Sequence, residues 1–242
     1  MFEAFGLTDP GCVRTNNEDY FISDPGLGIF ILADGMGGAK AGEHASRISA
    51  EELYKHLVGN LRATLDDDPS KALETGFLQA NLAVLHAAKE DPELDGMGTT
   101  LLAALAISET QLQVCSVGDS RAYLSSDGQF HTITRDQTWV AEVGSKLGLT
   151  DQALKAHPMR HVLTMAVGCG DDLRVHCHPA VLAPGDQLLL CSDGLHGVVE
   201  EEILARIVLS QKSLPDKCHY LVEAAKGKGG PDNVTVVLIQ RV

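Results

Sequence analysis

The sequence predicts an α+β fold built mainly from antiparallel sheets. Strand-like runs arrive in blocks and helix-like runs arrive in blocks, which disfavours alternating βαβ units. The strand-like runs are short and punctuated by Asp-Gly and Pro-Gly turn signals. Two long helix-forming stretches lie together between residues 41 and 90. There is no internal repeat and no Pro/Ser-rich linker, so the 242 residues are expected to form one domain, 1–242, with ample length for a core.

In chain order, DYFIS and GIFILA flank a DPGLG turn signal and predict a hairpin over residues 19–33. AGEHASRISAEELYKHLVGNL predicts a helix over 41–61. A second helix starts where Asp68 can cap and Pro69 fits the first helical position; Leu73, Phe77, Ala80, Val84 and Ala88 then recur at helical spacing. TTLLAALAI, LQVCSV, RAYLSS and QFHTIT predict strands, the last two joined by a DG turn. Residues 136–172 are mixed, with weakly helical pieces in TWVAEVGSKLG and DQALKAH, and read as an excursion from the main body. Strands resume at LRVHCHPAVL and QLLLC, helices follow in EEILARIVLS and PDKCHYLVEAAKGK, and NVTVVLIQ closes the chain as a buried strand.

Composition excludes several classes. A net charge of −14 leaves no basic footprint for nucleic acid, and aromatics at 5% offer little for base stacking. An acidic surface also repels phosphorylated substrates unless cations reverse the local sign. MFEAFGLTDPG lacks a basic n-region, and apolar runs such as LLAALAI are too short to span a bilayer, so a cytoplasmic, membrane-free protein is expected. The cysteines at 12, 115, 169, 177, 191 and 218 show no Cys-x2-Cys spacing and mostly sit in apolar runs; free thiols in a reducing cytosol are expected.

Cys115 to Arg121, CSVGDSR, has the cysteine-to-arginine spacing of a thiolate phosphatase loop. A strand-and-turn pattern follows it where such a loop needs a helix start, and no hydroxyl residue follows the arginine. Asp119 fits a different grammar. FILADG ends an apolar run at Asp34, VCSVGDS at Asp119 and LLLCSDG at Asp193, while PDNVTVVLI places Asp232 at the entry to one. Singly, each is first a turn signal. Together, carboxylates at one edge of a core require protonation, separation or a cation, and an all-oxygen set selects Mg²⁺ or Mn²⁺. Spacing does not show that the four strand ends converge. Arg14 lies near Glu18 and Asp19 in the polar loop GCVRTNNEDY, where its guanidinium suits either phosphate or a neighbouring acid.

These stretches give the chain its resemblance to the metal-dependent serine/threonine protein phosphatases, the type 2C or PPM family, above all the compact bacterial members. The match runs in the family's order through GLTDPGCVRTNNEDY, ADGMGGAKAGEHAS, MGTT, VGDSRAYL, TRDQTW, LLLCSDGL and GGPDNVTVV. The resemblance implies a central sandwich of two antiparallel sheets flanked by helix pairs, with a flap at about 144–172. It implies two Mn²⁺ or Mg²⁺ ions and a third in bacterial members. By the same resemblance Asp34, the Gly35 carbonyl, Asp193 and Asp232 are core ligands, Glu18 acts on one ion, Asp19 and Asn233 support from behind, and Asp119 shares the third ion with Asp193. Arg14 matches the phosphate-binding arginine. The implied reaction is attack of a metal-bridging hydroxide on phosphoserine or phosphothreonine, with no covalent phosphoenzyme. Implied partners are a cognate Ser/Thr kinase or its substrates, as in control of type VI secretion, acting with a monomeric phosphatase.

The chain departs from the pattern at Met36, Ala39 and Gln137, where relatives carry histidine; Met36 leaves the general acid unassigned. His176 and His178 alternate on one strand face and read as strand surface without a third ligand. His161 falls in the expected flap, His44 on the first helix, Trp139 reads as packing, and DDD at 66–68 as a solvated turn. Two rival functions remain: a catalytically weak regulator on the same fold, and a Cys115-dependent phosphatase.

Overall fold

The computed structural model describes residues 1–36, 41–66, 68–148, 150, 153–154 and 157–242. One sheet contains β1 (Phe2–Asp9), β7 (Arg121–Ser126), β8 (Gln129–Thr132), β10 (Gln187–Cys191) and β11 (Val234–Arg241), in the order β1-β11-β10-β7-β8. The other contains β2 (Asp19–Asp24), β3 (Ile29–Met36), β5 (Leu101–Ala106), β6 (Gln111–Val117) and β9 (His176–Val181), in the order β2-β3-β5-β6-β9, with the short β4 (Gly98–Thr99) beside β3. Every pairing is antiparallel.

Period-two alternation sorts the strand side chains into layers. Phe30, Leu32, Leu102, Val114, Leu188, Leu190, Val237 and Ile239 meet between the sheets. The intervening residues of β3, Ile29, Ile31 and Ala33, pack outward against α1 (Ala41–Asp66) and α2 (Pro69–Glu90) through Leu53, Leu57, Leu73 and Phe77. On the opposite face, Leu189, Val236 and Leu238 pack against α5 (Glu201–Val208) and α6 (Leu214–Gly227) through Leu204, Val208, Leu221 and Val222. Three apolar layers thus bind a helix–sheet–sheet–helix stack, the sandwich flanked by helix pairs.

Local signals account for the element ends. Asp68 caps α2 by accepting from the backbone N–H groups of Ser70 and Lys71, with Pro69 in the first turn. The 19–33 hairpin forms as β2 and β3, with Asp19 opposite Asp34. α1 runs to Asp66, beyond residue 61, because ATLD continues without a breaker until the Asp68 cap. In the mixed region, Thr138 caps a short α3 (Trp139–Glu142) and a 3₁₀ turn follows at Gly144–Leu147. Of the DQALKAH piece, residues 151–152 and 155–156 lie outside the described residues, as do Gly37, Gly38, Ala39 and Asp67.

The expectation of six free thiols is corrected: Cys115 and Cys177 form a disulfide. The two stand directly opposite each other on β6 and β9, with Cα atoms 4.1 Å apart, a separation typical of the closely spaced cross-strand pairs in an antiparallel ladder. Register, invisible in the spacing of 62 residues, brings them together. Cys12, Cys169, Cys191 and Cys218 are free, the last two buried.

Candidate metal centre

The alternation that builds the inter-sheet core continues past its apolar residues at one end of the sandwich. Phe21 is succeeded at the same parity by Asp19, Leu32 by Asp34, Leu102 by Thr100, Ala122 by Ser120, Leu190 by Ser192 and Val237 by Thr235. One end of the core therefore turns from hydrocarbon to hydroxyls and carboxylates, and these groups bond to one another. The Asp34 N–H donates to Thr100 Oγ1 (3.0 Å), which hydrogen-bonds Ser120 Oγ (2.8 Å). Ser192 Oγ donates to Asp19 Oδ2 (2.8 Å) and accepts from the Thr235 N–H (3.0 Å). Thr99 Oγ1 and the Thr100 N–H both donate to the Asp34 carbonyl.

The aspartates named from sequence come to this end. Asp34 closes β3, Asp193 opens the one-turn helix α4 (Asp193–His196) after β10, Asp119 sits in the turn between β6 and β7, and Asp232 precedes β11. Burial pushes the Asp34 carboxyl well above its ordinary range, and the charges of Asp19, Asp193, Asp119 and Asp232 push it further. Asp119 is raised to about 8 by burial, Asp193 and Asp136, against Arg121. Asp19 is raised to about 7 by burial and Asp193, against the hydrogen bond from Ser192. Asp193 is raised by burial and Asp232, while His161 and Arg14 oppose the rise.

Backbone knots hold the acids in place. Asn233 donates through its amide to the carbonyls of Pro10 (3.1 Å) and Asn16 (2.9 Å), and its Oδ1 accepts from the Glu18 N–H (2.8 Å). The Asn233 N–H donates to Asp232 Oδ1 (2.9 Å). One buried amide thus ties the Glu18 loop to the Asp232 loop. The Gly35 N–H donates to the Glu18 carbonyl (3.1 Å), and any Cβ at Gly35 would strike the Gly42 carbonyl, so the β3 end and the start of α1 close together only around glycine. Arg14 donates from Nη2 to Asp232 Oδ2 (2.8 Å) at the exposed rim, the acid-paired alternative of the sequence reading.

The donor set fits hard cations. Asp19 Oδ1 is buried without a hydrogen-bond partner, the acids are oxygen ligands, and their mutual repulsion is what divalent charge relieves. Among the described residues no group of three or more His, Cys, Asp or Glu side chains is arranged so that it could hold a metal ion as it stands; what the carboxylates share is a repulsion that a cation would relieve.

Comparison with known proteins agrees with this chemistry. The family model described as Protein phosphatase 2C matches residues 13–221. The chain belongs to the protein phosphatase 2C family. It is 35% identical over 236 residues to Protein phosphatase PhpP of Streptococcus pneumoniae, covering 96% of this chain and 95% of that one. The catalytic domain of the serine/threonine phosphatase PstP, solved with two manganese ions, superposes with a TM-score of 0.85 at 32% identity, covering 99% of this chain and 97% of that one. PppA of Pseudomonas aeruginosa, described as a key regulatory component of T6SS, superposes with a TM-score of 0.84 at 30% identity, covering 100% and 98%. This phosphatase 2C chain is a metal-dependent serine/threonine protein phosphatase that uses manganese or magnesium. Among the described residues no helix is long and apolar enough to cross a membrane.

The cysteine-phosphatase grammar of CSVGDSR dissolves in this phosphatase. Cys115 is bonded to Cys177, the segment after Asp119 is β7, and Arg121 donates to both oxygens of Asp136 (2.9 and 2.6 Å). His176 and His178 lie on β9, an edge strand. Trp139 stacks on His157 with centroids 4.5 Å apart. Sequence reasoning missed the hydroxyls Thr99, Thr100, Ser120, Ser192 and Thr235, and also His196, whose Nε2–H donates to the Asp119 carbonyl (2.9 Å). A signal existed for Thr100, Ser120, Ser192 and Thr235: each continues the inward parity of a core strand with a polar residue.

Proposed function

We propose that the chain is a single phosphatase domain, with residues 144–172 as its flap, that dephosphorylates proteins modified by a cognate Ser/Thr kinase, or the kinase itself. Two core ions are assigned to Asp34, the Gly35 carbonyl, Asp193, Asp232 and Glu18, and a third to Asp119 with Asp193. When bound, the cations activate a water for attack and neutralise charge on the phosphoryl group. The protein's share is positioning. Asp34 is fixed through its backbone by Thr99 and Thr100, and Asp19 stands behind it, held by Ser192. Asn233 keeps the Glu18 and Asp232 loops at a set separation. Arg14, already at the rim on Asp232, has further N–H groups to offer a phosphate, which bidentate geometry suits. We assign the protein to the cytoplasm, where such kinases meet their substrates, and the likeness to PppA supports a role in type VI secretion control.

The reading rests on one observation: Asp34, half-buried at the polar end of the sandwich, lies within the electrostatic reach of Asp19, Asp119, Asp193 and Asp232. The test is phosphate release from a phosphothreonine peptide. EDTA-stripped protein should be inactive, Mn²⁺ should restore turnover, and Cys115→Ser should stay active. Turnover that survives EDTA, or that Cys115→Ser abolishes with metal binding intact, contradicts the reading.

A further inference from the structure

Gln137 stands where TRDQTW departs from the family pattern, and it is 1% exposed. Its side chain spans two segments far apart in sequence. Oε1 accepts from the Gly118 N–H (2.8 Å), and Nε2 donates to the Arg174 carbonyl (2.8 Å). Its backbone spans the same gap: the Gln137 N–H donates to the Gly118 carbonyl (2.9 Å), and its carbonyl accepts from the Thr164 N–H (2.8 Å). Four hydrogen bonds at one buried residue therefore join the turn that carries Asp119 to Thr164 and Arg174. Arg174 in turn makes a forked pair with Glu142 of α3 (3.1 and 3.2 Å).

The turn needs such a clamp. Gly118 has φ +99°, a conformation that side chains resist, and a Cβ there would meet Thr100 Cγ2 at 2.7 Å. Its N–H and C=O are both taken by Gln137. Asp119 follows immediately, its carbonyl held by His196 and its neighbour Ser120 by Thr100. His196 and Thr100 fix the turn after Gly118, while Gln137 holds both backbone groups of Gly118, the residue before Asp119.

We infer that Gln137 is a positioning residue for the Asp119 metal position, joining the turn that carries Asp119 to Thr164 and Arg174. The inference rests on the third-ion reading above. Removing an amide that orients a ligand loop is expected to weaken metal binding there by about 10-fold. A residue that only fills a buried gap would change thermal stability and leave metal binding alone.

The experiment is calorimetric titration of Mn²⁺ into the EDTA-stripped full chain, for wild type, Asp119→Ala, Gln137→Met and Gln137→Asn. Asp119→Ala should lose the weaker class of sites. Gln137→Met keeps length and loses both side-chain hydrogen bonds. Its weaker class should shift to about 10-fold higher Mn²⁺ with the tighter class unmoved. At Mn²⁺ that saturates wild type, kcat on a phosphothreonine peptide should fall by a similar factor, KM should stay nearly constant, and more Mn²⁺ should restore the rate. Gln137→Asn, one methylene too short to bridge, should behave alike and decides the matter if the Met variant does not fold. Wild-type isotherms in the Gln137 variants, with Asp119→Ala altered, overturn the inference alone. Superimposable wild-type and Asp119→Ala isotherms overturn the third-ion reading and the inference with it.

Discussion

At the scale of single residues, the site is a set of acids whose protonation the metal must displace. Asp19 and Asp119, raised by burial and by Asp193, titrate at about 7 and about 8 in the metal-free protein. A carboxyl with a raised folded-state pKa stabilises most below its unfolded value, near 4, and the contribution is lost as pH rises through the folded value. The metal-free protein should therefore lose thermal stability between roughly pH 4 and pH 8, while the gain on adding Mn²⁺ grows over the same range. Scanning calorimetry with and without metal checks this; a pH-independent melting temperature for the stripped protein contradicts it. Mn²⁺ binding at pH 6 should also release protons. Arg14 makes a different prediction. Its partner Asp232 is proposed as a metal ligand, yet the arginine is half exposed. Arg14→Ala should raise KM for a phosphopeptide by roughly 10-fold or more, with a smaller effect on Mn²⁺ affinity, because a charged hydrogen bond to phosphate is worth about 1.5–3 kcal/mol. Steady-state kinetics over a range of Mn²⁺ concentrations separates the two.

At the scale of elements, the strands that could be read from sequence are those with strict patterning. The β2–β3 hairpin, the Asp68 cap of α2 and the closing β11 follow from turn residues, capping chemistry and apolar runs. The β6–β9 disulfide could not be read in this way. Cys115 lies in an apolar run where a small hydrophobe fits, and its pairing depends on which strand lies beside β6 and in what register. Cross-linking residues 62 apart should contribute about 2–4 kcal/mol through loop entropy. Reduction, or Cys115→Ser, should then lower the melting temperature by about 5–15 °C. Turnover at 25 °C should remain within a few-fold, since neither sulfur lies among the acids. A melting temperature unchanged by dithiothreitol contradicts the first expectation, and loss of turnover in the folded variant contradicts the second.

At the scale of the whole molecule, the fold is a device for ending strands together. Residues 19, 34, 119, 193 and 232 are scattered along nearly the full chain, and antiparallel pairing in two sheets delivers them to one end. The four aspartates were legible because each interrupts an apolar run at its end. Their convergence was not legible from spacing, since it depends on the β1-β11-β10-β7-β8 and β2-β3-β5-β6-β9 orders. It entered the sequence reading only through family resemblance. The supporting hydroxyls and Gln137 lay in plain view but without a one-dimensional signature strong enough to separate them from ordinary loop polarity. Thr100, Ser120, Ser192 and Thr235 are recognised once the inter-sheet parity is known, because each continues an inward face of the core; Gln137, in a loop, is recognised only from its hydrogen bonds to Gly118 and Arg174.

Asp34 is proposed as the acid on which metal binding and turnover both depend. Asp34→Asn preserves shape and the backbone contacts to Thr99 and Thr100 while removing the charge. Turnover of a phosphothreonine peptide at saturating Mn²⁺, measured beside a Mn²⁺ titration on protein with wild-type circular dichroism, tests it directly. The account predicts at least about a 10³-fold loss of kcat and loss of the tight Mn²⁺ sites, as expected when a charge at the reacting centre is removed. Near-normal turnover with the tight sites intact would contradict it.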